Sequence, residues 1–189
     1  MLHNADKITL LKLARMTLEA FFSNAKTPAC DTDSEALQAI QGAFVTLHRK
    51  QELRGCIGQL YPDRELFKIV QHCAVSAAVE DTRFLPVTRE ELKELEIEIS
   101  VLSPFRRIRD IKDIEVGKHG LYLVQGRFRG LLLPQVATQY RWDRETFLAQ
   151  TCRKSGLPES AWRDPHTQIH VFEAEVFSES EMQSAEEVR

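Results

Sequence analysis

The sequence predicts an α+β fold, in which helices flank an antiparallel or mixed β-sheet. Two pairs of strand-like segments are each joined by a tight turn, which is how antiparallel strands are usually connected. Segments with apolar residues at helical spacing lie before and between these pairs. Residues 95–101 alternate strictly between apolar and polar side chains, as a strand with one solvated face does. These three observations together favour the α+β class.

The first half of the chain predicts four helices and three strands. The helices predicted at residues 6–24 and 62–80 carry apolar stripes. The helix predicted at residues 34–41 has Ser34 at its cap position, and the helix predicted at residues 88–95 begins with a capping box of Thr88 and Glu91. A turn at residues 49–52 joins the first two strands into a hairpin. The predicted helices cover residues 6–24, 34–41, 62–80 and 88–95, and the predicted strands cover residues 42–48, 53–60 and 95–101.

The second half predicts another hairpin, one helix and a last strand. Pro134 ends the pairing of the hairpin because it has no backbone N–H to donate. Asp143 is expected to cap the helix, and Gly156 to end it. The predicted strands cover residues 120–125, 128–133 and 168–177, and the helix extends from residue 143 to about 155.

Composition places the chain among ordinary globular proteins, since 43% of its 189 residues are hydrophobic and 28% are charged. Residues 1–178 are expected to form one domain. The Ser- and Glu-rich residues 179–189 have no apolar periodicity and are expected to be a flexible tail. The sequence shows neither an apolar run of membrane-spanning length nor a signal-peptide pattern, so we expect a cytoplasmic protein.

Cysteine spacing and charge argue against several functional classes. The four cysteines show no C-x-x-C pair, so we expect neither a structural metal site nor a disulfide framework. His166 and His170 would lie about 13 Å apart along a strand, too far to share one metal ion. Glycine-rich phosphate motifs are absent, and no cofactor is expected. The net charge of −3 makes nucleic acid a poor candidate, and the mixed-charge run at residues 106–113 is typical of a solvated face.

The segment Leu53–Gly58, with the sequence LRGCIG, places a thiol between two glycines and an arginine two residues before it. Because alternate residues of a strand point to opposite sides, Arg54, Cys56 and Gly58 are expected on one open, polar face. The other residues are expected to face the core, where Gly55 leaves a gap for a neighbouring backbone. The Arg54 cation would favour the thiolate of Cys56. The alternative is that Cys56 is a small buried packing residue.

Three further places are candidates for a ligand site, each with a plainer alternative. Asp81 and Arg83 follow a predicted helix and could fix an anionic or hydrogen-bonding ligand, or simply tie down a turn. His119, at the start of the second hairpin, could act as a base or a ligand, or could be a solvated loop residue. Gln135 could reach into a cleft, or could be exposed at the end of a strand.

These motifs together resemble the AMMECR-one domain family. The resemblance starts with residues 42–47 and LRGCIG, follows the family's order, and covers nearly the whole chain from about Asp6 to Glu179. The six-residue cysteine motif is specific, while Ser155 departs from the alanine that members often carry. The other segments that carry the resemblance are DTRF (81–84), ISVLSP (99–104), HGL (119–121), GLLLPQV (130–136), WD (142–143), FL (147–148), KSGLP (154–158) and the strand around Phe172.

The resemblance implies a fold of two unequal lobes, with the cysteine motif lining a cleft between them. Prokaryotic members resemble the A component of the AmmeMemoRadiSam system, which implies a Memo-like protein and a radical-SAM enzyme as partners. The family has no settled activity that could be transferred to this chain. The oligomeric state stays open, and a homodimer through exposed sheet edges is one of the alternatives.

Two functional hypotheses follow from the residues and the resemblance. The favoured hypothesis is a binding or accessory component, in which the glycines allow close approach and Arg54 and Arg83 hold a small anionic ligand. The alternative is an enzyme that uses Cys56 as a nucleophile or redox thiol, with His119 or Asp81 transferring protons. Whether the chain is an enzyme at all stays open at this point.

Overall fold

The computed structural model describes residues 2–182 and shows an α+β protein. Its paired strands are antiparallel, which confirms the predicted fold class. The strands are Ala43–Arg49 (β1), Glu52–Gln59 (β2), Leu95–Leu102 (β3), Arg106–Ile108 (β4), His119–Gln125 (β5), Phe128–Leu132 (β6) and Gln168–Ser178 (β7). The α-helices are Asn4–Phe22 (α1), Glu35–Gln38 (α2), Leu66–Val79 (α3), Pro134–Gln139 (α4) and Arg144–Lys154 (α5).

The described chain divides into two compact units, each with its own hydrophobic core. The first unit contains residues 2–102 and 175–182, and the second contains residues 103–174. Strand β7 contributes its first part to the second unit and its last part to the first.

In the first unit, β1 is the middle strand between β2 and β3. The register places Val45 beside Ile57 and Ile99, and Leu47 beside Gly55 and Ile97. These apolar residues belong to one core with α1 and α3, so one side of this sheet is covered by the two helices. The helix residues that complete this core include Leu10, Leu11, Ala14 and Leu18 of α1, and Ile69, Val70, Cys73, Ala74, Ala77 and Ala78 of α3.

Gly55 allows α3 to lie directly against β2. A Cβ atom at this position would stand 2.1 Å from the carbonyl oxygen of Ala77 and 3.1 Å from its carbonyl carbon. The neighbouring atoms belong to the helix backbone, so they could not rotate away as the end of a flexible side chain could. The predicted gap at Gly55 is therefore present, and α3 is the backbone that fills it.

A β-bulge at Arg54 interrupts the alternation of β2. Leu47 pairs with Gly55 while His48 pairs with Leu53, so Arg54 has no residue opposite it. Because directly paired residues of antiparallel strands point to the same side, Leu53 lies on the side of His48 and away from the core. Leu53 is 39% exposed, and the expectation that it faces the core is wrong.

In the second unit, β5 lies between β6 and β7, and β4 pairs with β7. The buried residues of β5 and β7 form a core with α5, notably with Phe147 and Leu148. Helix α5 begins as predicted, because the Asp143 carboxylate accepts the N–H of Thr146 at 2.8 Å. Gly156, with φ of +76°, follows the end of the helix.

Several elements differ from the sequence predictions. Helix α3 begins at Leu66 and not at residue 62, since Glu65 still has an extended backbone and precedes the first helical turn. The short helix predicted at residues 88–95 is a 3-10 helix at residues 90–94, and the Thr88 N–H donates to Glu91 Oε2 at 2.8 Å. The charged run at residues 106–113 was expected to be solvated, and no strand was predicted there. Its first three residues form strand β4, in which Ile108 is buried in the second core while the two arginines are exposed.

The segment after Pro134 forms helix α4, for which the sequence analysis predicted no element. Pro134 occupies the first turn of this helix, where a missing N–H leaves no hydrogen bond unmade. Residues 179–182 are helical, in contrast to the flexible tail expected from residue 179, and residues 183–189 lie outside the described part. Glu179 accepts hydrogen bonds from Arg15 Nε and from the N–H of Ile97, each at 2.9 Å.

We predict that Gly55→Ala destabilises the protein by about 1–3 kcal/mol, because the new methyl group must displace the backbone of α3. Urea unfolding followed by circular dichroism measures this difference. Gly126→Asn is the control, since Gly126 has no atom within 4 Å of an added Cβ and its φ of +57° suits asparagine. Equal stability of the two variants would contradict the close approach of α3 to β2.

Candidate functional site

The side of the first unit's sheet that points away from α1 and α3 carries mostly polar residues. Since Val45 and Leu47 of β1 face the helices, the residues between and beside them face the other side. The strand register brings neighbours from β2 and β3 alongside each of these residues. We call this surface the polar sheet face. Each of its rows contains one residue from β2, one from β1 and one from β3, in that order. The three rows are Gly58, Phe44 and Ser100; Cys56, Thr46 and Glu98; and Leu53, His48 and Glu96.

Cys56 is held by both its side chain and its backbone. The hydroxyl of Thr46 donates to the thiol sulfur, with 3.3 Å between Oγ1 and Sγ. The N–H of Cys56 donates to Asp81 Oδ2 at 2.9 Å. Burial raises the pKa of the Cys56 thiol above its ordinary value, and the charges of Asp81 and Glu98 raise it further. The Thr46 hydrogen bond and the charge of Arg83 oppose this rise but do not reverse it, so the uncharged thiol is favoured at neutral pH.

Asp81 connects the loop after α3 to the edge of β2. Its carboxylate is 6% exposed and accepts the N–H of Cys56 and the N–H of Arg83. It also accepts two bonds from the guanidinium of Arg83, at 2.9 Å from Nε and 2.7 Å from Nη2. Hydrogen bonding to Arg83, assisted by the two backbone N–H groups, lowers the pKa of Asp81 to about 2. Asp81 is therefore ionised at neutral pH and cannot serve there as a proton donor.

Arg83 presents a cation close to Cys56. Its guanidinium is fixed by the fork of two bonds to Asp81, yet its side chain is 52% exposed. Within the described residues, no hydrogen-bond partner is recorded for Nη1, which leaves the outer N–H groups facing solvent. Asp81 and Arg83 thus do form the predicted pair, and the pair lies next to Cys56.

Arg54 has a different surrounding from the one expected. Its Nε and Nη2 donate to the two carboxylate oxygens of Glu91, at 3.0 and 3.1 Å. Its Nη1 donates to the carbonyl of Leu85 at 2.8 Å, and Nη2 also approaches the carbonyl of Pro86 at 3.3 Å. The Arg54 charge is paired with Glu91, and the cation that counters the raised pKa of Cys56 is Arg83, which corrects the expected activation of the thiol by Arg54. Through these hydrogen bonds, Arg54 connects the loop at residues 85–91 to β2.

Gly58 does not leave the open space that the sequence analysis expected. A Cβ atom there would lie 2.2 Å from Cδ1 of Phe44, because the aromatic ring covers this glycine from the neighbouring strand. Gly58 therefore allows close packing of a ring on the polar sheet face. It does not provide an opening beside Cys56.

Six residues of this surface were not among the predicted site residues: Phe44, Thr46, His48, Glu96, Glu98 and Ser100. The alternation of residues 95–101 already assigned Glu98 and Ser100 to one wet strand face, but only the register shows that this face carries Cys56. His48 Nε2 and Glu98 Oε2 are 3.9 Å apart. Burial raises the pKa of Glu98, and the charges of Glu181 and Glu96 raise it further, while His48 lowers it.

The remaining predicted site residues belong to the second unit. His119 is 5% exposed, and its Nδ1 accepts the N–H of Glu115 at 3.1 Å, so it is a buried residue that fixes a local turn. Gln135 lies in the first turn of α4 and not at a strand end. Its Oε1 is buried, and the described residues provide no hydrogen-bond partner for it.

Residues 2–182 were expected to hold no metal ion, and their side chains and helices bear on metal binding and on membrane spanning. In this part of the chain, no group of three or more His, Cys, Asp or Glu side chains is arranged to hold a metal ion. The helices described there are also too short or too polar to cross a bilayer.

Comparison with known proteins agrees with the resemblance found in the sequence. The AMMECR1 family model matches residues 11–177. A protein from Thermococcus gammatolerans is 44% identical over 182 residues, which cover 90% of this chain and 88% of that protein. A protein from Methanothermobacter thermautotrophicus is 42% identical over 178 residues, which cover 90% of this chain and 93% of that protein. The crystal structure of an uncharacterized protein from Pyrococcus horikoshii has a TM-score of 0.85 at 40% identity, covering 90% of this chain and 89% of that chain.

We predict that the stabilising effect of Asp81 disappears in acid. Its pKa of about 2 lies below the ordinary value of 3.8, so its contribution is complete above about pH 4 and is lost as the pH falls towards 2. Asp81→Asn should therefore be less stable than the parent by about 2 kcal/mol at pH 7, and nearly equal to it at pH 2. Urea unfolding of both proteins at pH 2, 3, 4 and 7 provides the measurement.

Asp63→Asn is the control for this experiment, because Asp63 pairs with Arg64 at 2.9 Å but is exposed to solvent. Its stability difference should be small at every pH. A constant difference between the parent and Asp81→Asn from pH 7 to pH 2 would contradict the ionic role of Asp81.

Proposed function

The chain belongs to the AMMECR1 family, and on that premise we propose that it is a ligand-binding accessory protein and not an enzyme that uses its thiol. The ligand contacts the edge of β2, where Cys56, Asp81 and Arg83 meet. The observation that carries this proposal is the exposed guanidinium of Arg83, fixed by Asp81 next to an uncharged thiol.

The exposed side of Arg83 favours a small anionic ligand. A guanidinium already held by one carboxylate has a fixed plane, so its outer N–H groups lose little freedom when they bind a second anion. Asp81 leaves the outer N–H groups available, but it also reduces the net charge that the ligand experiences. We therefore expect modest affinity from the charge alone, with selectivity from additional hydrogen bonds.

The surroundings of Cys56 support binding over nucleophilic catalysis. A nucleophilic cysteine needs a base or a cation that stabilises the thiolate. Here burial raises the thiol pKa of Cys56 in spite of the hydrogen bond from Thr46 and the charge of Arg83, so the thiol stays protonated at neutral pH. The ionised Asp81 accepts four hydrogen bonds and has no proton to give at neutral pH.

The proposed partners rest on the family resemblance. Prokaryotic proteins of this kind resemble one component of a system that also contains a Memo-like protein and a radical-SAM enzyme. An accessory protein that holds a ligand for such partners needs a site that the partners can reach. The position of Arg83 and Cys56 at the edge strand β2 supports this role.

We predict that Arg83→Gln weakens the binding of succinate and phosphate by about tenfold or more, the effect of one or two charge-assisted hydrogen bonds. Titration of ¹⁵N-labelled protein, followed by NMR, measures the affinity and locates the site. The amide signals of Cys56, Asp81 and Arg83 should shift in the parent protein.

Arg64→Gln is the matched control, because Arg64 is also an exposed arginine paired with a nearby aspartate. It should bind the probes as the parent does. The proposal fails if the two variants lose affinity equally, or if the probes shift no signals near Cys56.

A further inference from the structure

The polar sheet face and the segment at residues 178–182 bring three carboxylates together, and within the described residues these carboxylates outnumber the nearby cations. Glu96, Glu98 and Glu181 interact electrostatically, and the two others each raise the pKa of Glu98. Glu96 accepts a hydrogen bond from the hydroxyl of Ser180, and Glu181 accepts the N–H of Ser178 at 3.2 Å. Among ion pairs of the described residues, Glu98 has only His48, at 3.9 Å.

Two further polar atoms on this face have no hydrogen-bond partner among residues 2–182. Ser100 is 1% exposed and its Oγ makes no hydrogen bond within the described residues. Nε2 of His48 is also buried without a hydrogen-bond partner there, although it lies 3.9 Å from Glu98 Oε2. Buried polar groups in native proteins are nearly always hydrogen-bonded, so unpartnered ones on one face indicate a missing polar partner.

We propose that the polar sheet face contains a subsite for a primary amine, in which Glu98 is the counter-ion of the ligand's ammonium group. This inference rests on the proposed function, because it assigns a second part of the same ligand-binding surface. Cys56, Thr46 and Glu98 form one row across three adjacent strands. Adjacent strands are about 4.8 Å apart, so Glu98 stands about 10 Å from the strand that carries Cys56.

The chemistry of the surrounding atoms matches an ammonium group. A primary ammonium has three N–H donors and no acceptor. The Glu98 carboxylate accepts N–H donors, and Nε2 of His48 lies 3.9 Å from its Oε2 on the same face. The positive charge also balances the excess of carboxylates around Glu98. Ser100 lies two residues along the same face of β3, in the row next to that of Glu98.

The separation from Arg83 restricts the size of the ligand. An α-amino acid carries its two charges too close together to reach from β3 to the edge of β2. A ligand that uses both subsites must instead carry its amine and its anionic group at opposite ends of an extended chain. A longer amino acid or a short peptide has this form.

The test compares n-butylamine with 1-butanol, which has nearly the same shape but no charge at neutral pH. Binding is followed by NMR on the ¹⁵N-labelled full chain, with the amide signals of His48, Glu98 and Ser100 as reporters. We expect n-butylamine to shift these signals and 1-butanol to leave them nearly unchanged. Equal effects of the two compounds would overturn the subsite, because they would show binding through the alkyl chain alone.

Two variants identify the counter-ion. Glu98→Gln keeps the size of the side chain and should weaken n-butylamine binding about tenfold or more. Glu159→Gln removes an exposed carboxylate of the second unit and should have no effect. Unchanged binding in Glu98→Gln, with circular dichroism confirming its fold, would overturn the assignment of Glu98.

The anion titration separates this inference from the proposed function. If succinate still binds near Arg83 while n-butylamine fails to bind, only the amine subsite is wrong. If n-butylamine binds and the anions do not, the anionic half of the proposed function is wrong. Failure of both probes would remove both proposals.

Discussion

The contact between Gly55 and the carbonyl of Ala77 is the constraint on which the candidate site depends. Because Gly55 has no side chain, the last turns of α3 lie against β2 at backbone distance. The chain leaves α3 at Val79 and reaches Asp81 two residues later. That short connection brings the Asp81 carboxylate to the N–H of Cys56, at the outer edge of β2. A wider gap between α3 and β2 would separate these two groups.

The two arginines of the predicted site have opposite roles because their carboxylate partners differ in position. Glu91 lies in the 3-10 helix after the loop and binds Arg54 through two oxygens, so this arginine stabilises the loop and is 16% exposed. Asp81 lies beneath Arg83 and leaves the outer part of that guanidinium in solvent. The positive charge next to Cys56 therefore comes from Arg83. Arg54, although only two residues from Cys56 in the sequence, contributes to folding.

Local rules predicted much of this fold from sequence. The alternation of residues 95–101, the hairpin of β1 and β2, the Asp143 cap and the gap at Gly55 each depend on a few neighbouring residues. The bulge at Arg54 and the pair with Glu91 could not be predicted, because they depend on a register and on a residue 37 positions away. Helix α4 and strand β4 were missed because their sequences carry weak periodicity, and burial of Ile108 and Ala137 in the second core holds them in place. The composition of the polar sheet face could not be predicted either, since only the pairing of three strands brings Cys56 and Glu98 onto one row.

The central claim is that Cys56 is an uncharged thiol within a binding surface. The most direct test is the pH dependence of iodoacetamide alkylation of the four cysteines in the native protein, followed by mass spectrometry. We expect Cys56 to react with an apparent pKa above the free-thiol value of about 8.5 and more slowly than the partly exposed Cys30. Cys73, whose pKa burial raises to about 12, should stay protected until the protein unfolds. If Cys56 reacts fastest and titrates well below 8.5, it is an activated thiolate, and its role as an uncharged thiol in a binding surface is contradicted.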